Sequence, residues 1–239
     1  MHHKFNAMKK LLFILAILLT AVQFTNAQEH RFNSELDKFC KTTIKEFKSI
    51  SKERKTVLDG MAEQLAKKKY VVFSCKTNSR RTLMLQVWAQ TAFYYYSILG
   101  KYAFSIGDTV TDVYPGVAEV LTEAGFYCTF QRNTEPSGYI ISISKEYPLN
   151  MLSSKNKVGT IDTAKGVLVN ICFDANEQSN VTAVNGHLDL PYQSPTQFEN
   201  TPKEKETYEA LNKQIAVEML YLAKKTKGFI NELMNNAEE

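Results

Sequence analysis

Cysteine is scarce in this 239-residue chain: there are four, none in a C-x-x-C pair. That excludes a zinc ribbon and a disulfide-stapled scaffold. Glycine (10) and proline (6) are too few for collagen-like or low-complexity sequence, and no segment repeats. Histidine is equally sparse. His2 and His3 lie at the extreme N-terminus, leaving only His30 and His187, so no imidazole metal site and no cofactor are expected. A surplus of one charge sign is also missing. Lys+Arg 29 against Asp+Glu 25 gives +4, but Lys4, Lys9 and Lys10 fall in the first 27 residues, which hold no acid. Setting those three aside leaves 26 basic and 25 acidic residues, a net of +1, and no electrostatic case for a nucleic-acid partner. No apolar run is long enough to cross ~30 Å of hydrocarbon comfortably. What is present is 44% hydrophobic residues, enough for one sizeable core.

The longest apolar run, Leu11 to Val22, comes after Met8-Lys9-Lys10 and precedes Gln23-Phe24-Thr25-Asn26-Ala27. This is the pattern of a signal peptide over residues 1–27, cleaved after Ala27. The expectation is an exported protein, periplasmic or secreted, with no stable membrane anchor and in a compartment where thiols oxidise.

Residues 28–69 read as a helical N-terminal extension. Phe32, Leu36, Phe39, Cys40, Ile44, Phe47 and Ile50 recur at three- and four-residue steps, and Leu58, Met61 and Leu65 continue the stripe. From residue 70 the texture becomes that of a second region, 70–239. Tyr70-Val71-Val72-Phe73 is a short run without alternation, as in a strand buried on both faces. Next come a helix over Leu83–Leu99, a strand at Tyr102–Ile106 and a helix over Val117–Ala124 closed by Gly125. Further strands are expected at Phe126–Phe130, Tyr139–Ile143 and Val167–Ile171. A long loop then runs to Asn200, and Thr201-Pro202 opens a last helix reaching about Lys225. Strands alternating with helices give an α/β class with a mainly parallel sheet.

Chemistry concentrates in Ser74-Cys75-Lys76-Thr77-Asn78-Ser79-Arg80-Arg81-Thr82, between a buried strand and a helix. Ligands of open α/β sheets bind there, where amides and a helix N-terminus face an anion. The same dipole and a nearby guanidinium favour the Cys75 thiolate. Arg81 can curl back and hold an oxyanion with its planar fork. Thr82 can donate its hydroxyl to the sulfur, and Asn78 can brace the loop through bonds to backbone. Arg80 reads as a solvent-facing charge that raises the local potential. Cys40, on the apolar stripe, and Cys128 read as packing residues. Of Tyr94, Tyr95 and Tyr96, core packing is favoured over lining an entrance.

This loop, with Ser105-Ile106-Gly107-Asp108-Thr109 and Tyr114-Pro115, resembles the low-molecular-weight protein tyrosine phosphatase superfamily, and within it the arsenate-reductase-like branch. Val169-Asn170-Ile171-Cys172-Phe173-Asp174-Ala175, Leu190-Pro191-Tyr192-Gln193-Ser194-Pro195 and Gln214 to Tyr221 extend the resemblance over about Tyr70 to Lys225. It implies a four-stranded parallel sheet with flanking helices, with the helical extension outside it. It implies Cys75 as nucleophile, Arg81 as clamp and Thr82 as thiolate partner. Lys76, Thr77, Asn78, Ser79 and Arg80 would complete the oxyanion loop, and Cys172 would be a redox partner of Cys75.

Two positions depart from the family. Ser194 stands where an Asp precedes the Pro of the acid loop, and a general acid contributes about 10²–10⁴-fold. Ser179 stands where the branch has its last relay cysteine. Asp174, Asp189 and Glu199 are the carboxylates considered as substitutes. Three functions stand as expectations. The first is hydrolysis of phosphomonoesters, a phosphoprotein among them, through a phosphocysteine. The second is arsenate reduction through Cys75 and Cys172 with an external thiol as reductant. The third is an oxyanion-binding or interaction module that has lost turnover.

Overall fold

A computed structural model of the chain describes residues 32–109, 111–145, 148–152, 161–181 and 187–237. The segment read as a signal peptide lies outside them. Helices α1 (Ser34–Ile44) and α2 (Lys52–Lys67) precede strand β1 (Tyr70–Ser74), helix α3 (Arg81–Tyr95), strand β2 (Tyr102–Ile106) and helix α4 (Pro115–Glu123). Strands β3 (Tyr127–Gln131), β4 (Gly138–Ser142), β5 (Pro148–Leu152), β6 (Gly166–Asn170) and β7 (Leu188–Asp189) come next, and helix α5 (Glu204–Asn235) closes the described chain.

The main sheet has the order β2-β1-β6-β7 with every pair parallel, so β1 and β6 are its inner strands. Val71, Val72 and Phe73 of β1 and Val167, Leu168 and Val169 of β6 are buried, which is why these strands lack a polar alternation. The expected four-stranded parallel sheet is present, but its fourth member is the two-residue β7, inside the stretch expected to be loop. The strands expected at Phe126–Phe130 and Tyr139–Ile143 do not join it. They are β3 and β4, paired antiparallel with each other and with β5 in a separate three-stranded sheet. Antiparallel neighbours need only a short turn, and here that turn runs through Glu135-Pro136.

Helix α3 is buried from Arg81 to Phe93, because it lies between the sheet and α5. It starts two residues earlier than the apolar spacing suggested. It stops at Tyr95, short of Leu99, where Ser97 and Gly100 take positive φ (54° and 74°). Tyr94, Tyr95 and Tyr96 are half-buried at this far end, about 20 Å along the helix from Arg81. Helix α5 runs ten residues past the expected end at Lys225.

The N-terminal helices share the main core. Leu36, Cys40, Leu58, Met61 and Leu65 belong to the same buried cluster as Phe73, Trp88 and Leu220. Phe39 stacks on Trp88 with ring centroids 5.3 Å apart. Asn33 caps α1 by accepting from the amides of Glu35 and Leu36, while its Nδ2 donates to the carbonyls of Gly125 (2.6 Å) and Ile143 (2.9 Å). Gly125 turns at φ +101°, and a Cβ there would meet the Leu36 amide nitrogen at 2.5 Å. Burial, with Asp37 nearby, pushes the Cys40 thiol up to about 12, so it packs and does not react at neutral pH. Burial also raises Cys128. No helix among the described residues is long and apolar enough to cross a membrane.

Candidate active site

The loop from Cys75 to Arg80 leaves the carboxyl end of β1 and enters α3. Its shape comes from neighbouring backbone. The carbonyl of Lys76 accepts from the amides of Asp108 (3.0 Å) and Thr109 (3.3 Å), and the carbonyl of Ser79 accepts from Tyr114 (3.2 Å). Asn78 is fully buried and donates to the Ser105 carbonyl at 3.2 Å, the loop-bracing contact expected of it. Gly107 allows the approach, since a Cβ there would lie 2.8 Å from the Asn78 amide nitrogen. The start of α3 carries no side-chain cap, which leaves its positive end for a ligand.

Cys75 and Cys172 are joined as a disulfide, with Cα atoms 6.2 Å apart across 97 residues of sequence. Parallel pairing of β1 and β6 makes this possible: Ser74 sits opposite Asn170, so both cysteines emerge at the carboxyl end of the sheet. Both are nearly buried, at 4% and 2% exposure. Arg81 lies against the pair, its Nη2 3.7 Å from the Cys75 sulfur and 3.9 Å from the Cys172 sulfur. Nη1 of Arg81 donates to the Tyr192 carbonyl at 2.7 Å, and Nη2 also donates to Glu177 at 2.7 Å.

These residues line a cavity of about 250 Å³ whose walls include Cys75, Lys76, Thr77, Arg80, Arg81 and Thr82. Ile171, Glu177, Ser194 and Thr196 complete them. Asn78 and Ser79 are buried behind the loop and are not on the wall. Two expectations change. Thr82 gives its hydroxyl proton to Asn78 Oδ1 at 2.7 Å and not to the Cys75 sulfur, which in the disulfide is a weak acceptor and not the thiolate of the reduced protein. Arg80 is not a solvent-facing charge. It pairs with both carboxylate oxygens of Glu199, donates to Ser79 Oγ and lies 4.6 Å over the Tyr114 ring. Burial opposes the Arg80 charge, but the hydrogen bonds to Glu199 outweigh it and its pKa rises.

Of the substitute acids, Glu199 and Asp189 are engaged elsewhere. Glu199 also accepts from the Tyr208 hydroxyl (2.8 Å), and Asp189 accepts from Asn170 (2.8 Å). Asp174 caps its own turn through the Asn176 amide, at an outer cleft that shares Arg81, Glu177, Ser194 and Thr196 with the cavity. Ser194 is on the cavity wall, hydrogen-bonded to Thr196 at 2.9 Å. Ser179, at the other departing position, keeps a buried hydroxyl without a partner among the described residues.

Glu177 is the functional residue that sequence reasoning passed over. Among the described residues it is the only carboxylate on the cavity wall. Its side chain occupies Arg81, its carbonyl accepts from the Lys76 amide at 2.7 Å, and that carbonyl lies 3.2 Å from the Cys75 sulfur. The carboxylate thus stands where an oxyanion oxygen would meet the guanidinium. Its signal in the sequence was position alone, five residues after Cys172. Glu177→Gln removes this competing charge, so inorganic phosphate is expected to bind the reduced protein roughly tenfold tighter by calorimetry. Unchanged affinity would mean that the carboxylate does not compete for Arg81.

No family model and no curated protein matches the sequence. Solved structures do match. An arsenate reductase in the oxidized state is 18% identical, covering 66% of this chain and 98% of its own, with a TM-score of 0.44. A mutant of YwlE from Bacillus subtilis is 13% identical over 66% of this chain and 98% of its own, at a TM-score of 0.41. The thioredoxin-dependent arsenate reductase of Corynebacterium glutamicum is 19% identical over 69% and 67%, at 0.35. At these identities and TM-scores the likenesses say nothing of the site, whose chemistry rests on this chain's own sheet and loop. In its parallel sheet, and in the Cys75–Arg81 loop at the carboxyl end of an inner strand, this chain resembles the low-molecular-weight protein tyrosine phosphatase superfamily.

Proposed function

We propose that the chain is a cysteine-dependent oxyanion enzyme whose reaction is thiol-dependent reduction of arsenate or a close analogue. The observation that carries this reading is the Cys75–Cys172 disulfide beneath Arg81. It is the state that one turnover would leave behind. In the reduced protein the Cys75 thiolate attacks arsenic, and one arsenate oxygen leaves as water after protonation. Arg81 and the helix start hold the remaining oxygens. The Cys172 thiolate then attacks the Cys75 sulfur. The S–As bond breaks with its electron pair staying on arsenic, which departs as arsenite. Two thiols have become one disulfide and delivered two electrons. A pair of external thiols, oxidised to their own disulfide, restores Cys75 and Cys172. Ser194 cannot supply the proton with which that water leaves, so it comes from a hydroxyl of arsenate itself or from solvent, and the later thiol-exchange steps need no carboxylic acid. An exported location would require that thiol outside the cytoplasm.

Hydrolysis of phosphomonoesters, foremost among the expectations from sequence, becomes the second reading. Glu177 favours it, as a carboxyl group on the cavity wall that, once it releases Arg81 and takes a proton from solvent, can donate to a leaving group. One experiment separates the two: purified protein with an excess of a small thiol is given arsenate or p-nitrophenyl phosphate. Arsenate-dependent thiol oxidation without ester hydrolysis is the expected result. Ester hydrolysis with no response to arsenate would overturn the reductase reading in favour of the phosphatase. Inertness toward both, with Cys75 shown to be reduced, would leave binding alone.

A further inference from the structure

Arg54 lies on α2, in the extension that the family resemblance does not cover, yet it reaches to within one residue of the Arg81 anchor. Its Nε and Nη2 grip both oxygens of Glu218 on α5, at 3.0 and 2.8 Å. Its Nη1 donates to the Pro191 carbonyl at 2.8 Å, and its guanidinium lies 4.4 Å over the Tyr192 ring. The Tyr192 hydroxyl donates to the same Glu218 carboxylate, while the Tyr192 carbonyl receives Arg81 Nη1 at 2.7 Å. Two guanidinium groups therefore hold two consecutive carbonyls, Arg54 at residue 191 and Arg81 at residue 192. Burial and the Glu218 charge push the Tyr192 phenol well up, so it remains a donor at neutral pH.

The arrangement is buried: Tyr192 is 1% exposed and Glu218 4%. Buried ion pairs contribute little net stability against an apolar alternative, but they do fix geometry. The geometry at stake is the roll of the Arg81 fork. With Nη1 held by the Tyr192 carbonyl, Nη2 faces the two sulfurs and Glu177. If residues 191–192 drift, the fork turns and the sulfur loses its neighbouring charge.

We propose that Arg54 is a positioning residue for the oxyanion site: acting through Pro191 and Tyr192, it holds Arg81 against Cys75. This rests on reading Cys75 and Arg81 as the reacting pair, and it gives the N-terminal extension a part in the chemistry. A purely structural cross-link would instead make Arg54 matter for folding and nothing else.

The test is a double-mutant cycle read on the sulfur. Reduced full-length protein is alkylated with iodoacetamide across roughly pH 5–9, and modification at Cys75 is followed by peptide mass analysis. Wild type is compared with Arg54→Met, Arg54→Lys, Arg81→Met and the Arg54→Met/Arg81→Met double variant, with melting temperatures taken alongside. Arg54→Met is expected to move the alkylation profile to higher pH and slow the reaction about tenfold near pH 6. Arg54→Lys, which keeps the charge but not the three-way grip, should fall between it and wild type. The double variant should match Arg81→Met alone. An unmoved profile in Arg54→Met, whatever its melting temperature, overturns the proposal, as does additive slowing in the double variant. If Arg54→Met fails to fold, an unmoved profile in Arg54→Lys overturns it equally. Turnover is not read here, so a wild type inert toward arsenate would sink the functional reading and still leave this cycle to decide on Arg54.

Discussion

Replacing Cys172 by serine is expected to cut arsenate-dependent thiol oxidation by at least about 10⁴-fold, the scale seen when a residue that makes or breaks a covalent bond is removed. Cys172 meets Cys75 at the carboxyl ends of β1 and β6, and in the proposed reaction its thiolate would supply the second electron-pair movement that frees arsenite. A serine hydroxyl at that place cannot form the disulfide, so the thiol–arsenate adduct on Cys75 has no internal exit. Cys75→Ser is expected to lose the same activity from the first step. The pair of variants is decisive because the second reading treats them differently. A phosphatase needs Cys75 but not Cys172, and Cys172→Ser would hydrolyse p-nitrophenyl phosphate at the wild-type rate. Sustained arsenate turnover by Cys172→Ser would show an external thiol attacking the adduct directly, and the internal pair would then have no catalytic part. The measurement is thiol consumption against time under excess arsenate, with the protein reduced beforehand.

Arg81→Lys should lower kcat/KM for arsenate by roughly 10²–10³-fold, as removal of a preorganised oxyanion donor does elsewhere. The guanidinium makes several contacts at once, to the Tyr192 carbonyl, to Glu177 and against both sulfurs. An ammonium is a point charge with no planar fork and cannot satisfy them together. Stability should change little by comparison, since the Glu177 partner is 37% exposed and its pairing is screened by solvent. The two readouts therefore separate: a large fall in kcat/KM with a modest fall in melting temperature. A change in kcat/KM below about threefold would remove Arg81 from the oxyanion site and with it the electrostatic case for the loop.

The strands at Tyr70 and Gly166 were legible because a strand buried on both faces must be apolar without alternation, and the loop was legible because it came directly after the first of them. β7 was not. Two residues carry no periodicity, and Leu188–Asp189 is a strand only because β6 offers its edge. The strands at Tyr127 and Gly138 were recognisable as strands, but sequence spacing does not say which sheet a strand joins. Thr82 shows the same limit at the level of one proton. Its hydroxyl has several acceptors within chain reach, and the choice of Asn78 depends on where Ser105 and Gly107 hold that amide.

Local pattern thus determined the class of fold, the position of the loop and the placing of Cys75 and Arg81 within it, since each depends on residues near one another in the chain. Tertiary structure decided the rest. The pairing of Cys75 with Cys172, implied by the family resemblance but not by local pattern, spans 97 residues, Glu177 reaches Arg81 across 96, and Arg54 reaches Glu218 across 164. Contacts of that separation leave no trace in hydrophobic periodicity. They exist because two parallel strands finish at the same end of the sheet and because α2 and α5 pack together, bringing charges into a buried space where each had to find a partner.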